Sequence, residues 1–176
     1  MRSIKTIMSL NTLKTIYYSS FNAIISYGLP LRGNSPHTIK IFRIQNRIIR
    51  ITLGCKQRVS CRNLFRRLKI LPLASQYILS LMLFVVKSKN LFMLNSEHHA
   101  TCTRQLNNFY QPMTTFTTYQ RSIHYMGIKI FNSLPQSIKE VSSNARKLEI
   151  CLKRFLHTHS FYSIEEYSQH KSSANK

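Results

Sequence analysis

The chain contains no aspartate and no tryptophan, and its only five acidic residues are Glu97, Glu140, Glu149, Glu165 and Glu166. Nucleotidyl transfer and most nuclease chemistry need two or more carboxylates to hold divalent metal ions. Glu165 and Glu166 are neighbours close to the C-terminal end and make a poor cage, so a polymerase-type or nuclease-type centre is not expected in these residues. The four glycines (Gly28, Gly33, Gly54 and Gly127) are too scattered to form a phosphate-binding loop. The four cysteines (Cys55, Cys61, Cys102 and Cys151) are equally dispersed. Structural zinc takes four ligands in short paired spacings. Cys55-x5-Cys61 with His99-x2-Cys102 is not such a set, so reduced thiols are expected, with no metal and no cofactor. His157-x-His159 reads as a pair at a helix end, where histidine suits the C-terminal dipole. Long apolar runs are missing too. The longest, Ile78 to Val86, is broken by Ser80 and is too short to span a bilayer. Ser9, Asn11, Thr12 and Lys14 interrupt any signal-type apolar start. No membrane partner is expected.

What the chain has in excess is positive charge. Lys plus Arg total 26 against five acids, a formal net charge of +21 over 176 residues. The first 96 residues carry 16 of those cations and no acid, whereas the remainder is only +5. Self-repulsion of that size disfavours a compact state unless a polyanion relieves it. Nucleic acid is the expected partner, because each phosphate contact releases condensed counterions.

Apolar residues recur at helical spacing at Leu10, Leu13, Ile16, Tyr17, Phe21, Ile24 and Ile25, which predicts a helix over 10–27, ended by Gly28 and Pro30. Ser35 and Pro36 predict an N-cap and first helical residue for a second helix that Gly54 stops. On that helix Lys40, Arg43, Arg47 and Arg50 fall within an arc of about 80° at 100° per residue. Ile41, Phe42, Ile44, Ile48, Ile49 and Ile51 fill about 180° beside them. A solvated face usually mixes signs, as Glu149 and Lys153 do; here no acid is mixed in. A short helix from a Ser60 cap to Ile70 would place Arg62, Arg66 and Lys69 on one face, with Leu64, Phe65 and Leu68 on another. Residues 73–88 are apolar nearly all round, which predicts a buried core helix containing Tyr77. Residues 89–121 lose periodicity. Ile123 to Ile130 fits a short strand or a helix start, and 144–157 fits an amphipathic helix with Leu148, Cys151, Leu152, Phe155 and Leu156 inward.

The order of these motifs resembles the C-terminal part of arthropod non-LTR retrotransposon reverse transcriptases of the jockey type. The residues that carry the likeness are Tyr27-Gly28, Gly33-Asn34-Ser35 and Gln45-Asn46-Arg47-Ile48-Ile49-Arg50-Ile51. Ser60-Cys61-Arg62-x-Leu64-Phe65-x2-Leu68-Lys69-Ile70-Leu71-x-Leu73 follows, then Tyr77 and His99-x3-Thr103-Arg104. Gly127-Ile128-Lys129-Ile130-Phe131-Asn132-x-Leu134-Pro135, Phe155-Leu156 and Phe161-Tyr162-Ser163-Ile164-Glu165-Glu166 complete the series, so the likeness spans roughly residues 10 to 168. One departure is Arg32, where that family carries a tryptophan. The resemblance implies the thumb and the region downstream of it, with the catalytic aspartates in an upstream palm. It also implies that Met1 is the first in-frame methionine of a truncated element.

The expected architecture is mostly α: a helical thumb-like bundle, then a smaller, partly irregular α segment with a short β pair. Its parts are a basic region over 1–89, an irregular linker over 90–121, a helical segment over 122–168 and a disordered tail over 169–176. The resemblance implies contact with an RNA or RNA–DNA hybrid backbone through Arg47, Arg50 and Arg62, to which the charge pattern adds Lys40, Arg43, Arg66 and Lys69. His99, Thr103 and Arg104 match a family signature without a derived role. A fingers–palm fragment is the implied protein partner, and the nucleus the implied location. The alternative reading is a structural RNA-binding protein, such as a small organellar ribosomal component.

Overall fold

The computed structural model describes residues 7–98 and 108–174. In chain order the helices are α1 (Leu10–Ile16), a π-helical stretch (Tyr17–Asn22), α2 (Ala23–Arg32), α3 (Thr38–Leu53), α4 (Arg62–Leu68), α5 (Leu73–Lys87), α6 (Asn95–His98), α7 (Thr117–Gln120), α8 (Ile123–Asn132), α9 (Gln136–Glu140), α10 (Ala145–His159) and α11 (Ile164–Ala174). The fold is mostly α. Among the described residues there is no strand, only one isolated antiparallel bridge between Leu94 and Phe109.

The β pair expected in the second half is therefore corrected. Residues 123–130 belong to α8, whose start is capped by Ser122 Oγ accepting from the Tyr125 N–H at 3.2 Å. Gly127, which weakens a helix in isolation, sits where α8 crosses α5. A Cβ there would stand 2.8 Å from Val85 Cγ2. Close approach of two helices, rather than a turn, is what requires that glycine.

The first helix also departs from expectation. It does not end at Gly28 and Pro30 but runs on through α2 to Arg32, with Pro30 inside its last turns. Its inward residues are Leu13, Tyr17 and Leu29, with Phe21 and Ile25 half-buried between them. That is a strict four-residue spacing. An unbroken α-helix would turn Leu29 about 160° away from the face of Leu13. The wider turns over Tyr17–Asn22 absorb that drift and keep all five residues on one side. The same rotation expels Ile24, predicted to be inward and 78% exposed.

Two caps differ as well. Ser35 Oγ accepts from the His37 N–H at 3.2 Å in a turn that precedes α3, which starts only at Thr38. α4 starts after Cys61 without a side-chain cap, so Ser60 plays no such part. Gly54 does stop α3, in the left-handed region at φ 73°.

α5 is the centre of the molecule, with Leu73, Tyr77, Ile78, Leu81, Met82 and Val85 buried. Tyr77 is 1% exposed, and burial pushes its phenol up to about 12. Its ring lies so close to Gly33 that a Cβ on that residue would meet Tyr77 Cδ2 at 2.1 Å and the Leu29 carbonyl at 2.7 Å. Arg32, next to Gly33 in the chain, is exposed and takes no place in this core.

α8 and α10 pack on the other sides of α5, and one continuous apolar cluster runs from Leu29 through α5, Phe92, Phe109 and α8 to Leu148, Leu152, Leu156, Phe161 and Tyr167. The expected segments over 1–89 and 122–168 thus share a single core. The described part of the expected linker is tied into it. Phe109 is buried, and its backbone exchanges two hydrogen bonds with the Asn132 amide, at 2.9 and 2.8 Å, as it would with a neighbouring strand. The expected disordered tail is helical as far as Ala174.

Candidate nucleic-acid interface

α3 turns its buried face, made by Gln45, Ile49 and Thr52, inward. The arc of Lys40, Arg43, Arg47 and Arg50 lies about 170° round the helix from that face. Lys40, Arg43 and Arg47 are exposed, and no described residue pairs with any of them. The fourth member differs. Arg50 is half-buried, and its Nε donates to the Val59 carbonyl at 2.9 Å, fixing the loop that joins α3 to α4.

The apolar arc beside this row is not the packed face that its pattern predicts. Of its six residues only Ile49 is fully buried, while Ile44 is 53% exposed and Ile41 36%. The helix is turned by about 40° from the orientation its hydrophobicity alone favours. The cause is Gln45. Its amide nitrogen donates to the Tyr17 hydroxyl at 2.8 Å and the Leu71 carbonyl at 3.0 Å, and its oxygen accepts from the Leu73 N–H at 2.9 Å. One side chain joins the π-helical stretch, α3 and the start of α5.

The helical period puts Arg62, Arg66 and Lys69 on one face; the structure separates them. The Arg62 guanidinium is 2.7 Å from the Glu166 carboxylate and sits 4.7 Å over the Tyr162 ring. Tyr162 in turn meets Phe42 edge-on at 4.9 Å, so the C-terminal Phe161-Tyr162 segment is wedged against α3 and α4. Arg66 donates to the His159 carbonyl at 3.5 Å. Lys69 ends α4 in the left-handed region and lines a cleft toward α10. Between Gly54 and α5, the cations that sequence reasoning passes over are Lys56, Arg58 and Arg67, all exposed. The first two follow the Gly54 stop, which is the available signal that they lie on a loop. His99, Thr103 and Arg104 lie outside the described residues.

Glu166 has a second task. Ser163 Oγ accepts from the Glu166 N–H at 3.1 Å, and Glu166 Oε2 accepts from the Tyr162 N–H at 2.8 Å, a reciprocal cap at the start of α11. Glu166→Gln keeps that cap and removes the charge, so a loss of about 0.5 kcal/mol is expected. Glu166→Ala removes the cap too and is expected to lose about 1 kcal/mol more. Urea unfolding of both variants measures the difference.

Among the described residues no group of three His, Cys, Asp or Glu side chains is placed to hold a metal ion. Burial raises the Cys61 thiol against the weaker pull of Arg50, which is the wrong direction for a nucleophile. No single described helix is long and apolar enough to cross a membrane. The chain matches no family model, no curated protein and no solved structure.

Proposed function

We propose that the chain is a backbone-binding module for RNA or an RNA–DNA duplex, the downstream, thumb-like portion of a non-LTR retrotransposon reverse transcriptase, acting without polymerase chemistry of its own. The observation that carries this reading is the row of Lys40, Arg43 and Arg47 on the outer side of α3. Over its seven-residue span the helix rises about 10 Å. A nucleic-acid strand presents a phosphate every 3.4 Å or so along its axis, so a row of that length passes about three phosphate steps and its cations can each reach a phosphate of one strand. Such contacts fix register and orientation and read no sequence. The motif series supports the origin, and a fingers–palm fragment carrying the catalytic aspartates would be the protein partner.

A mobility-shift titration with a mixed-sequence RNA–DNA hybrid tests the reading. The expected slope of log affinity against log salt is about −5 or steeper if six cations meet phosphates. A flat response would sink it. Glu166→Gln releases Arg62 and is expected to steepen the slope by about one; an unchanged slope would remove Arg62 from the interface.

A further inference from the structure

A cleft of about 380 Å³ opens between the first helical stretch, the turn after α4, α5 and α10. Its floor is aliphatic, made by Leu29, Leu71, Leu79 and Leu83. Its polar lining includes two cations and a histidine: Lys69 comes from the turn after α4, and Lys153 and His157 come from successive turns of α10. Lys153 is 2.6 Å from Glu149, which also lines the cleft. The Lys69 ammonium and the His157 ring have no hydrogen-bond partner among the described residues, and neither does the side chain of Asn22 at the same cleft.

Lys69 and Lys153 are exposed and His157 is half-buried, so solvent meets these donors where no protein group does. The one carboxylate present is engaged with Lys153, so Lys69 and His157 face the cleft without an anion. A second carboxylate would bring a single charge. A phosphate monoester brings about −1.5 to −2 charges and three acceptor oxygens, enough for Lys69, Lys153 and His157 together. The volume lies at the small end of the range for small-molecule pockets, which leaves room over the leucines for a body the size of a nucleoside or a short alkyl chain.

We propose that this cleft binds an organic phosphate monoester, with the phosphate between Lys69, Lys153 and His157 and the organic body on the leucine floor. The site lies apart from the α3 row and does not depend on the nucleic-acid reading. The charged groups facing His157 are Lys153 and Glu149 from α10 and Lys69 from the α4 turn; Tyr18 is the titratable group from the first helical stretch, and α5 contributes none. Burial first, then Lys153 and Lys69, hold the His157 ring below its ordinary value, so it is neutral near pH 7. A bound dianion reverses the sign of that local field.

The test is a titration of the full chain with adenosine monophosphate, octyl phosphate and inorganic phosphate, following the His157 ring proton by NMR. The expected result is saturable movement with at least one organic phosphate and a rise of about one unit in the His157 titration midpoint. Tighter binding of the nucleotide assigns a nucleotide ligand; tighter binding of the octyl ester assigns an alkyl phosphate. Lys69→Asn, which tolerates the left-handed turn, is expected to weaken binding about tenfold. Glu149→Gln is expected to strengthen it by releasing Lys153, a gain that a misfolded variant would not give. The proposal is overturned if His157 stays unmoved up to about 10 mM of all three ligands. It is equally overturned if inorganic phosphate binds as well as the esters, or if Lys69→Asn titrates like the parent chain.

Discussion

Replacing Gln45 by leucine is expected to destabilise the fold by about 3 kcal/mol, a large share of the 5–15 kcal/mol typical of a domain. Gln45 is 0% exposed and closes three hydrogen bonds to three different segments. Leucine fills nearly the same space, so the loss isolates the polar contribution from any cavity. The Leu73 N–H, in the first turn of α5, is left buried with no described acceptor, and such an orphan costs about 1–3 kcal/mol. The Leu71 carbonyl and the Tyr17 hydroxyl are less exposed to the change, because Gln76 Nε2 also reaches them at 3.0 and 3.5 Å. Each is weakened rather than abandoned. Urea unfolding followed by circular dichroism measures the difference. A loss below about 1 kcal/mol would mean that the amide does not hold α3 in its observed rotation.

Converting Lys40, Arg43 and Arg47 together to glutamine is expected to weaken hybrid binding on the order of 10²- to 10³-fold at about 0.1 M salt. The salt slope should fall by about three, one for each phosphate that no longer meets a cation. Stability should stay within about 0.5 kcal/mol of the parent, because these side chains are exposed and unpaired. The control that gives the experiment its force is a second triple variant, Arg146→Gln, Lys147→Gln and Arg154→Gln. Those cations are exposed on α10, and removing them changes the net charge by the same amount. If both triples reduce the slope equally, binding follows net charge and the α3 row has no special standing. If only the α3 triple does so, the row is the interface.

How much of the structure is legible in the sequence differs from residue to residue. α10 is readable almost to its ends, because Asn144 accepts from the Arg146 and Lys147 N–H groups and the Leu148, Leu152 and Leu156 face has a regular period. α5 is readable because an all-round apolar helix has nowhere to sit but a core. The first helix misleads at its far end. Its inward residues repeat every four positions, and only packing against Gln45 and α5 makes the π-helical turns that such a repeat needs worth forming. The short β pair misleads because Ile123 to Ile130 suits either state, and the close crossing of Gly127 on Val85 makes the choice.

The candidate site divides in the same way. Charge is a sum over the chain, so the acid-free first 96 residues and the helical spacing of Lys40, Arg43 and Arg47 are properties of the sequence itself. Whether a cation faces solvent or a partner depends on what folds back on it. Glu166 lies 104 positions after Arg62 and reaches it only because the Phe161-Tyr162 segment docks on Phe42 and Phe65. Arg50 is held by a loop carbonyl, and Lys69 is carried into the cleft by a left-handed turn. The sequence determined that the chain is helical, basic and without paired aspartates, because those follow from composition and local period. The tertiary structure alone decided which cations remain outside, because desolvation, ion pairing and helix rotation are set by contacts between residues far apart in the chain.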